Sequence, residues 1–263
     1  MSRALEIALA GVLATEGVLA QSPAPEVALV RTPEDGLQPR AVVDDKGELR
    51  VVYLAGAPEA ADVRYAHSKD GGKTFSDSRA VNQRAASAVA IGNVRGVQLA
   101  LGRNGRVHVA WNGNGPKDKP GDAPMLYTRL DDSGAAFEAE RDVIAKHRGL
   151  DGGGAVAADS LGNVHVLWHA PDERGGGEEA RRIWVATSRD DGKTFAEELA
   201  ASPPGAGVCP CCGMGAFALD GSGLAILYRT ARESVNRDAV LLASERLGQP
   251  FKQRTLDPWK VPT

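Results

Sequence analysis

The sequence predicts an all-β fold assembled from one repeated unit, and three observations predict it. An apolar strand, a Gly-containing turn and a second apolar strand recur four times in 263 residues. Each second strand closes on a large aromatic, and two third strands run into the same polar turn ending in Phe. The 31 Gly and 15 Pro fall between short apolar runs instead of in low-complexity tracts, which signals many turns and short strands. A hydrophobic share of 43% with 25% charged residues supports a core and excludes disorder over most of the length. The 31 basic and 34 acidic side chains leave a net charge of -3, so no positive excess tracks a phosphate backbone or an anionic membrane. Generic nucleic-acid binding is therefore excluded, and no membrane span is expected.

Taken in order, residues 1–20 come first as a targeting segment. Leu5 to Leu19 is mostly apolar after Arg3, is interrupted by Glu6 and Glu16, and ends Val18-Leu19-Ala20 with small residues where a signal peptidase cuts. It is too short and too charged to span a bilayer, which needs about 20 apolar residues. A secretory signal implies a secreted or periplasmic protein in a compartment that permits disulfides; the plainer alternative is a short N-terminal helix. Residues 21–38 follow as a segment with one strand at Val27 to Arg31, and the repeats occupy 39–263.

The first unit runs from Pro39 through Asp44 into the turn at Asp45-Lys46-Gly47 and on to Leu49 through Leu54. The others pair Val97–Leu101 with Val107–Trp111, Ala155–Ala158 with Val164–Trp168, and Ala216–Leu219 with Leu224–Tyr228. The closing aromatics are Tyr53, Trp111, Trp168 and Tyr228. Third strands are expected at Val63–Ser68, Met125–Thr128, Ile183–Ser188 and Ala239–Ser244. The turns Ser68 to Phe75 and Ser188 to Phe195 both read S-x-D-x-G-x-T-F, with degenerate copies ending at Phe137, read as one residue out of register with Thr128, and at Phe251. The four Phe are 62, 58 and 56 positions apart. In such a turn the Asp accepts from backbone N–H groups, Gly supplies a positive φ, and the Phe plugs the turn onto the sheet, so the expected role of Asp70 and Asp190 is structural.

The turn resembles the Asp-box of the bacterial neuraminidase repeat, and from Pro39 to Leu256 the chain is similar to the sialidase-like β-propeller family. Four-stranded antiparallel units arranged radially are propeller blades. Four are visible, whereas the resemblance implies six. The chain reads as a fragment of a six-bladed propeller; the alternative is a ring of fewer blades closed by Val27 to Arg31.

If each first strand lies beside the axis, the first-to-second turns and the Asp-boxes share the bottom face, and the remaining loops share the top. The top collects the long inserts 112–123 and 169–180, the cysteine cluster and several arginines, and irregular loops on a rigid scaffold are where sites sit. The resemblance implies three arginines gripping a substrate carboxylate, an Asp acid/base and a Tyr nucleophile activated by Glu, with no cofactor required. Arg40 stands about where the first arginine falls, although Pro39-Arg40-Ala41 replaces the expected Arg-Ile-Pro. Arg229 and Arg237 could supply the others and Asp151 the acid, with Arg95, Arg232 and His169 as substrate contacts. No Tyr and Glu pair stands out. Two function classes follow: an exo-α-sialidase-like glycosidase binding an anionic glycan, and a non-catalytic extracellular propeller binding glycan, protein or metal. His108 and His165 occupy equivalent strand positions, which argues for packing.

All three cysteines fall within Cys209-Pro210-Cys211-Cys212-Gly213-Met214. Three thiolates with the Met214 thioether form a soft ligand set suited to Cu(I), or to Zn with one further ligand. The alternative is a disulfide from Cys209 to Cys211 or Cys212 with one thiol left over.

Overall fold

The structure, a computed structural model, describes residues 27–90, 92, 96–115, 120–173 and 175–262; residues 1–20 and Arg95 lie outside them. Its regular elements are strands and single-turn 3-10 segments, and none of the described helices is long and apolar enough to cross a membrane. Four separate antiparallel sheets of four strands succeed one another along the chain. Blade 1 holds β1 (Leu37–Val43), β2 (Leu49–Ala57), β3 (Ala60–Ser68) and β4 (Arg79–Ala80). Blade 2 holds β5 (Gln98–Leu101), β6 (Val107–Asn112), β7 (Met125–Arg129) and β8 (Arg141–Asp142). Blade 3 holds β9 (Ala155–Ala158), β10 (Val164–Pro171), β11 (Arg181–Ser188) and β12 (Leu199–Ala200). Blade 4 holds β13 (Gly215–Leu219), β14 (Gly223–Arg229), β15 (Ala239–Ser244) and β16 (Lys252–Asp257).

The first strands pack against one another in the order β1, β5, β9, β13, which is the inner wall of a propeller arc. Between blades 1 and 2 sits a core of Val52, Leu54, Tyr65, Val109 and Trp111; between 2 and 3, one of Tyr127, Val166, Trp168 and Trp184; between 3 and 4, one of Leu167, Ile183, Ile226 and Tyr228. The expected closing aromatics Tyr53, Trp111, Trp168 and Tyr228 are all fully buried. Alternation along a strand sends its side chains to two faces, so a blade between two others buries both, as the unbroken burial of β6 and β10 records. The faces at the two ends of the arc differ: β16 is exposed throughout, and Phe217 of β13 and Val43 of β1 are solvent-facing.

The two S-x-D-x-G-x-T-F turns are superposable in their bonding. In the first, the Ser68 hydroxyl donates to Asp70 (2.8 Å), and the Thr74 amide and hydroxyl donate to the two Asp70 oxygens (2.9 and 2.7 Å). In the second, Ser188, Asp190 and Thr194 repeat this at 2.7, 2.9 and 2.6 Å. The Thr74 amide and hydroxyl hold the Asp70 carboxyl well below its ordinary pKa. Burial works against the same shift at Asp190, and the Thr194 and Ser188 bonds outweigh it. In the third copy Leu130 takes the Ser position and pairs with Phe137, and the acceptor is Asp131, one residue ahead of the place Asp70 holds, which accepts from the Ala135 amide.

Two further expectations change. Residues 27–31 form no strand, and Val27 and Leu29 are 83% and 97% exposed, so the strand expected there is absent and the first begins at Leu37. Arg40 consequently lies within β1 opposite Val52 and not at its head, beyond an irregularity where Gln38 has φ +49°.

Candidate functional site

Because β2 begins opposite the end of β3 at Leu49 and Ser68, and β10 opposite Ser188, the first-to-second turns and the Phe-ending turns emerge together at one end of every blade. The opposite end carries residues 113–115, 120–124, 172–173, 175–180 and 230–238, which follow the second strands, and the crossovers 143–154 and 201–214 between blades.

A hydrogen-bonded net ties these loops across blades 3 and 4. Arg181, at the start of β11, donates to the Gly149 carbonyl (2.8 Å), lies 3.3 Å from both the His169 carbonyl and its Nδ1, and stands 3.9 Å from the Asp151 carboxylate. His169 is fully buried, and Asp151, just ahead of β9, stays partly open to solvent. Gly152, at φ +88°, fits between His169 and the cysteine loop: a Cβ there would stand 2.1 Å from the Pro210 carbonyl oxygen and 2.9 Å from His169 Nε2. The Glu178 carbonyl accepts from the Val208 amide (3.0 Å), its carboxylate accepts from Arg237 (2.5 Å), and the Arg229 carbonyl accepts from the Cys209 amide (3.0 Å). Arg229 donates to the Arg237 carbonyl (3.1 Å) and stacks on Trp259 at 4.2 Å, while Arg232 pairs with Asp238 at 2.8 Å.

Of the residues singled out from sequence, the structure thus joins Asp151 to His169 through Arg181, and Arg229 to Arg237 and to the cysteine loop. Arg40 is not joined to them: it sits exposed on blade 1 and donates to Gln98 of blade 2 at 2.9 and 3.2 Å. Arg181 and Glu178 were missed by sequence reading; the available signal was the charged run Glu178-Glu179-Ala180-Arg181-Arg182 closing a long top insert. All four tyrosines of the chain lie in the core at 2% exposure or less.

Cys209, Cys211 and Cys212 bring their sulfurs within 4.8 Å of one another, close enough to share a metal ion. Cys209 is buried, Cys211 exposed, and their sulfurs are 3.0 Å apart as free thiols. The contact with Cys209, aided by partial burial, raises the Cys211 pKa. Tetrahedral thiolate sites hold a metal at about 2.3 Å from each sulfur, so sulfurs spaced this closely fit such an ion with little adjustment. Met214 is 4% exposed in the core between blades 3 and 4, beside Val208 and Leu167.

No family model and no curated protein sequence matches the chain. Solved structures do match by fold. The NanB sialidase of Streptococcus pneumoniae aligns with TM-score 0.56 at 10% identity over 89% of this chain and 54% of its own. A PL25 ulvan lyase aligns with TM-score 0.53 at 13% identity over 84% of this chain and 56% of its own. The Aleuria aurantia lectin in complex with Fucα1-6GlcNAc aligns with TM-score 0.50 at 13% identity over 82% of this chain and 59% of its own. The chain spans less than two thirds of each. At such identities the likeness establishes the fold: an all-β arc of four-stranded blades of the sialidase-like propeller type.

Proposed function

We propose that this chain is the carbohydrate-engaging part of a glycan-binding or glycan-processing propeller, taking its ligand at the top of blades 3 and 4. The observation that carries the reading is the presence, at that one end of blades 3 and 4, of Arg181 with Asp151 and His169, and of Arg237 with Glu178. Its fold neighbours, a sialidase, a lyase and a sugar-bound lectin, support a carbohydrate as the class of ligand. Guanidinium groups favour anionic sugars, whose carboxylates they bind in a bidentate fork. The narrower form, an exo-α-sialidase using Arg40, Arg229, Arg237 and Asp151, needs a tyrosine nucleophile, and the four tyrosines here are core residues. Binding is therefore the form the geometry supports best. A position outside the cytoplasm accords with this reading and rests on residues 1–20.

The test is retention of the purified protein on immobilised sialylated, uronic-acid and neutral glycans. Retention of an anionic class, lost in Arg181→Met with the melting temperature preserved, is expected. A folded protein that holds no glycan would overturn the proposal, and fluorophore release from a sialoside would shift it to the hydrolase form.

A second reading rests on the three close sulfurs: a soft metal, Cu(I) or Zn, held by Cys209, Cys211 and Cys212. Elemental analysis of protein purified under reducing conditions decides between stoichiometric metal, lost in Cys211→Ser, and a metal-free pair that oxidises to a disulfide.

A further inference from the structure

The blade junctions are built to one plan, and the third departs from it. At the first junction the Tyr65 ring of β3 meets Phe137 of the next blade edge-on, with centroids 5.7 Å apart at 70°. Arg79, its neighbour on β4, donates to the Gly134 carbonyl of that blade at 3.0 Å. At the second junction the Tyr127 ring meets Phe195 edge-on at 4.8 Å and 73°. Arg141, opposite Tyr127 on β8, lies over its ring at 5.5 Å and donates to the Lys193 carbonyl. The Tyr127 hydroxyl is 2.7 Å from His108 Nδ1, and Asp191 of the next blade approaches His108 Nε2 at 3.7 Å.

Strand register identifies the same positions at the third junction. His165 faces Thr187 as His108 faces Arg129, so Val185 holds the place of Tyr127. Val185 pairs with Leu199, which holds the place of Arg141. Counting from Ser188 and Ser244, Leu247 holds the place of Asp191, and Phe251 keeps the place of Phe195. Ring, guanidinium and carboxylate are therefore all replaced by aliphatic groups at one junction. The result is a cavity of about 900 Å³ lined by Val185, Leu199, Leu224, Leu247, Phe251 and His165. That size is within the range of small-molecule sites. His165 is 1% exposed; its Nδ1 is satisfied by the Thr187 hydroxyl at 3.0 Å, and its Nε2 has no hydrogen-bond partner. A buried polar atom left bare costs roughly 1–3 kcal/mol, so a ligand that supplies a partner gains what the fold lacks.

We infer that this cavity is a binding site for a small phenolic molecule, whose ring lies between Val185 and Phe251 and whose hydroxyl meets His165 Nε2, the nitrogen opposite the one that the Tyr127 hydroxyl meets on His108. The molecule carries its own template for the fit: a Phe presenting its ring to an edge-on partner, and a histidine within reach of a hydroxyl. A phenol suits either imidazole tautomer, because its hydroxyl both donates and accepts. The site runs along the outer side of blades 3 and 4 from the Phe-ending turn to Ser202 and Pro203 of the crossover and is lined by none of the residues proposed to contact the glycan, so the two readings fail independently.

The probe is p-cresol, the tyrosine side chain itself, titrated into the full chain by calorimetry and by saturation-transfer NMR. Saturable binding is expected, with toluene, which lacks the hydroxyl, bound at least fivefold more weakly. Val185→Tyr refills the ring position and should abolish binding while raising the melting temperature. Leu247→Asp places a carboxylate opposite His165 and should weaken binding at least fivefold, which keeps the test decisive if the first variant folds poorly. Absence of saturable p-cresol binding by the folded chain, or equal binding of p-cresol and toluene, would overturn the inference. So would p-cresol bound as well by a folded Val185→Tyr variant, or by a folded Leu247→Asp variant, as by the parent.

Discussion

Asp191 is the second aspartate of its turn and is unlike its half-buried neighbour Asp190: only 2% of its side chain is open to solvent. Its carboxylate accepts from Arg106 Nε at 2.6 Å and stands 3.4 Å from Arg129 and 3.6 Å from Arg103, all on blade 2. Breaking a buried ion pair from one side costs about 3–5 kcal/mol, because the partner charge stays buried. Here the loss is smaller, since Arg106 keeps Asp132 at 2.7 Å and Arg129 keeps Glu138 at 2.7 Å. Asp191→Asn retains shape and an acceptor for Arg106 and removes only the charge, for an expected cost of about 2 kcal/mol. Asp191→Ala also removes the acceptor for Arg106 and the short polar side chain that tolerates φ +65° better than alanine does, bringing the cost to about 3–4 kcal/mol. At about 2–4 °C per kcal/mol for a chain of this size, the Asn variant melts roughly 4–8 °C lower and the Ala variant lower still. Calorimetric melts at low and moderate salt measure it. An Asn variant melting within about 1 °C of the parent would refute the view that this carboxylate staples blade 2 to blade 3.

Burial keeps His108 neutral down to about pH 3, with Arg106 and Arg129 reinforcing it, and burial keeps His165 neutral down to about pH 4. Unfolded imidazole protonates near pH 6.5, so the unfolded state binds more protons below that value and stability falls as pH drops toward 4, by about 2 kcal/mol per histidine between pH 8 and 5. Melts across that window check this, and a melting temperature unchanged at pH 5 would contradict it. Glu198, fully buried, accepts from the amides of Ala145, Lys146 and His147 at 3.0, 2.8 and 2.6 Å. Glu198→Ala strands those donors and should cost about 2–4 kcal/mol, while hydrogen exchange quickens at 145–147. Asp70→Ala and Asp190→Ala should each lower the melting temperature and leave glycan retention unchanged; loss of retention at the parent's melting temperature would move these turns into the binding site.

The sequence was legible where a physical requirement recurs. Trp111, Trp168 and Tyr228 repeat because each fills the same place between blades, Tyr53 fills the matching place in blade 1's own cluster with Val51 and Ala66, and Asp70 and Asp190 repeat because the turn needs one acceptor for the same amide and hydroxyl. The fourth strands β4, β8 and β12 were not legible: two residues carry no periodicity. Val27–Arg31 has strand composition without a partner strand, which composition cannot reveal. At the site, Asp151 and His169 were found because they head an inner strand and end a second one. Arg181, which joins them, is 30 positions from one and 12 from the other, and only the pairing of Pro171 with Arg181 brings it there.

The unequal junctions also bear on how the molecule opens. In an array whose units touch only their neighbours, stability is a sum over junctions, and opening begins at the weakest one. At its Phe-turn end the third junction has Val185, Leu199 and Leu247 where the second has Tyr127, Arg141 and Asp191, so blade 4 is expected to detach first while blades 1 to 3 remain a block. The cysteine loop and the Arg229–Arg237 loop lie across that hinge line. Amide exchange should therefore show β13 to β16 as one fast cooperative group, and anything that clasps the three thiols or fills the cavity should slow that group alone.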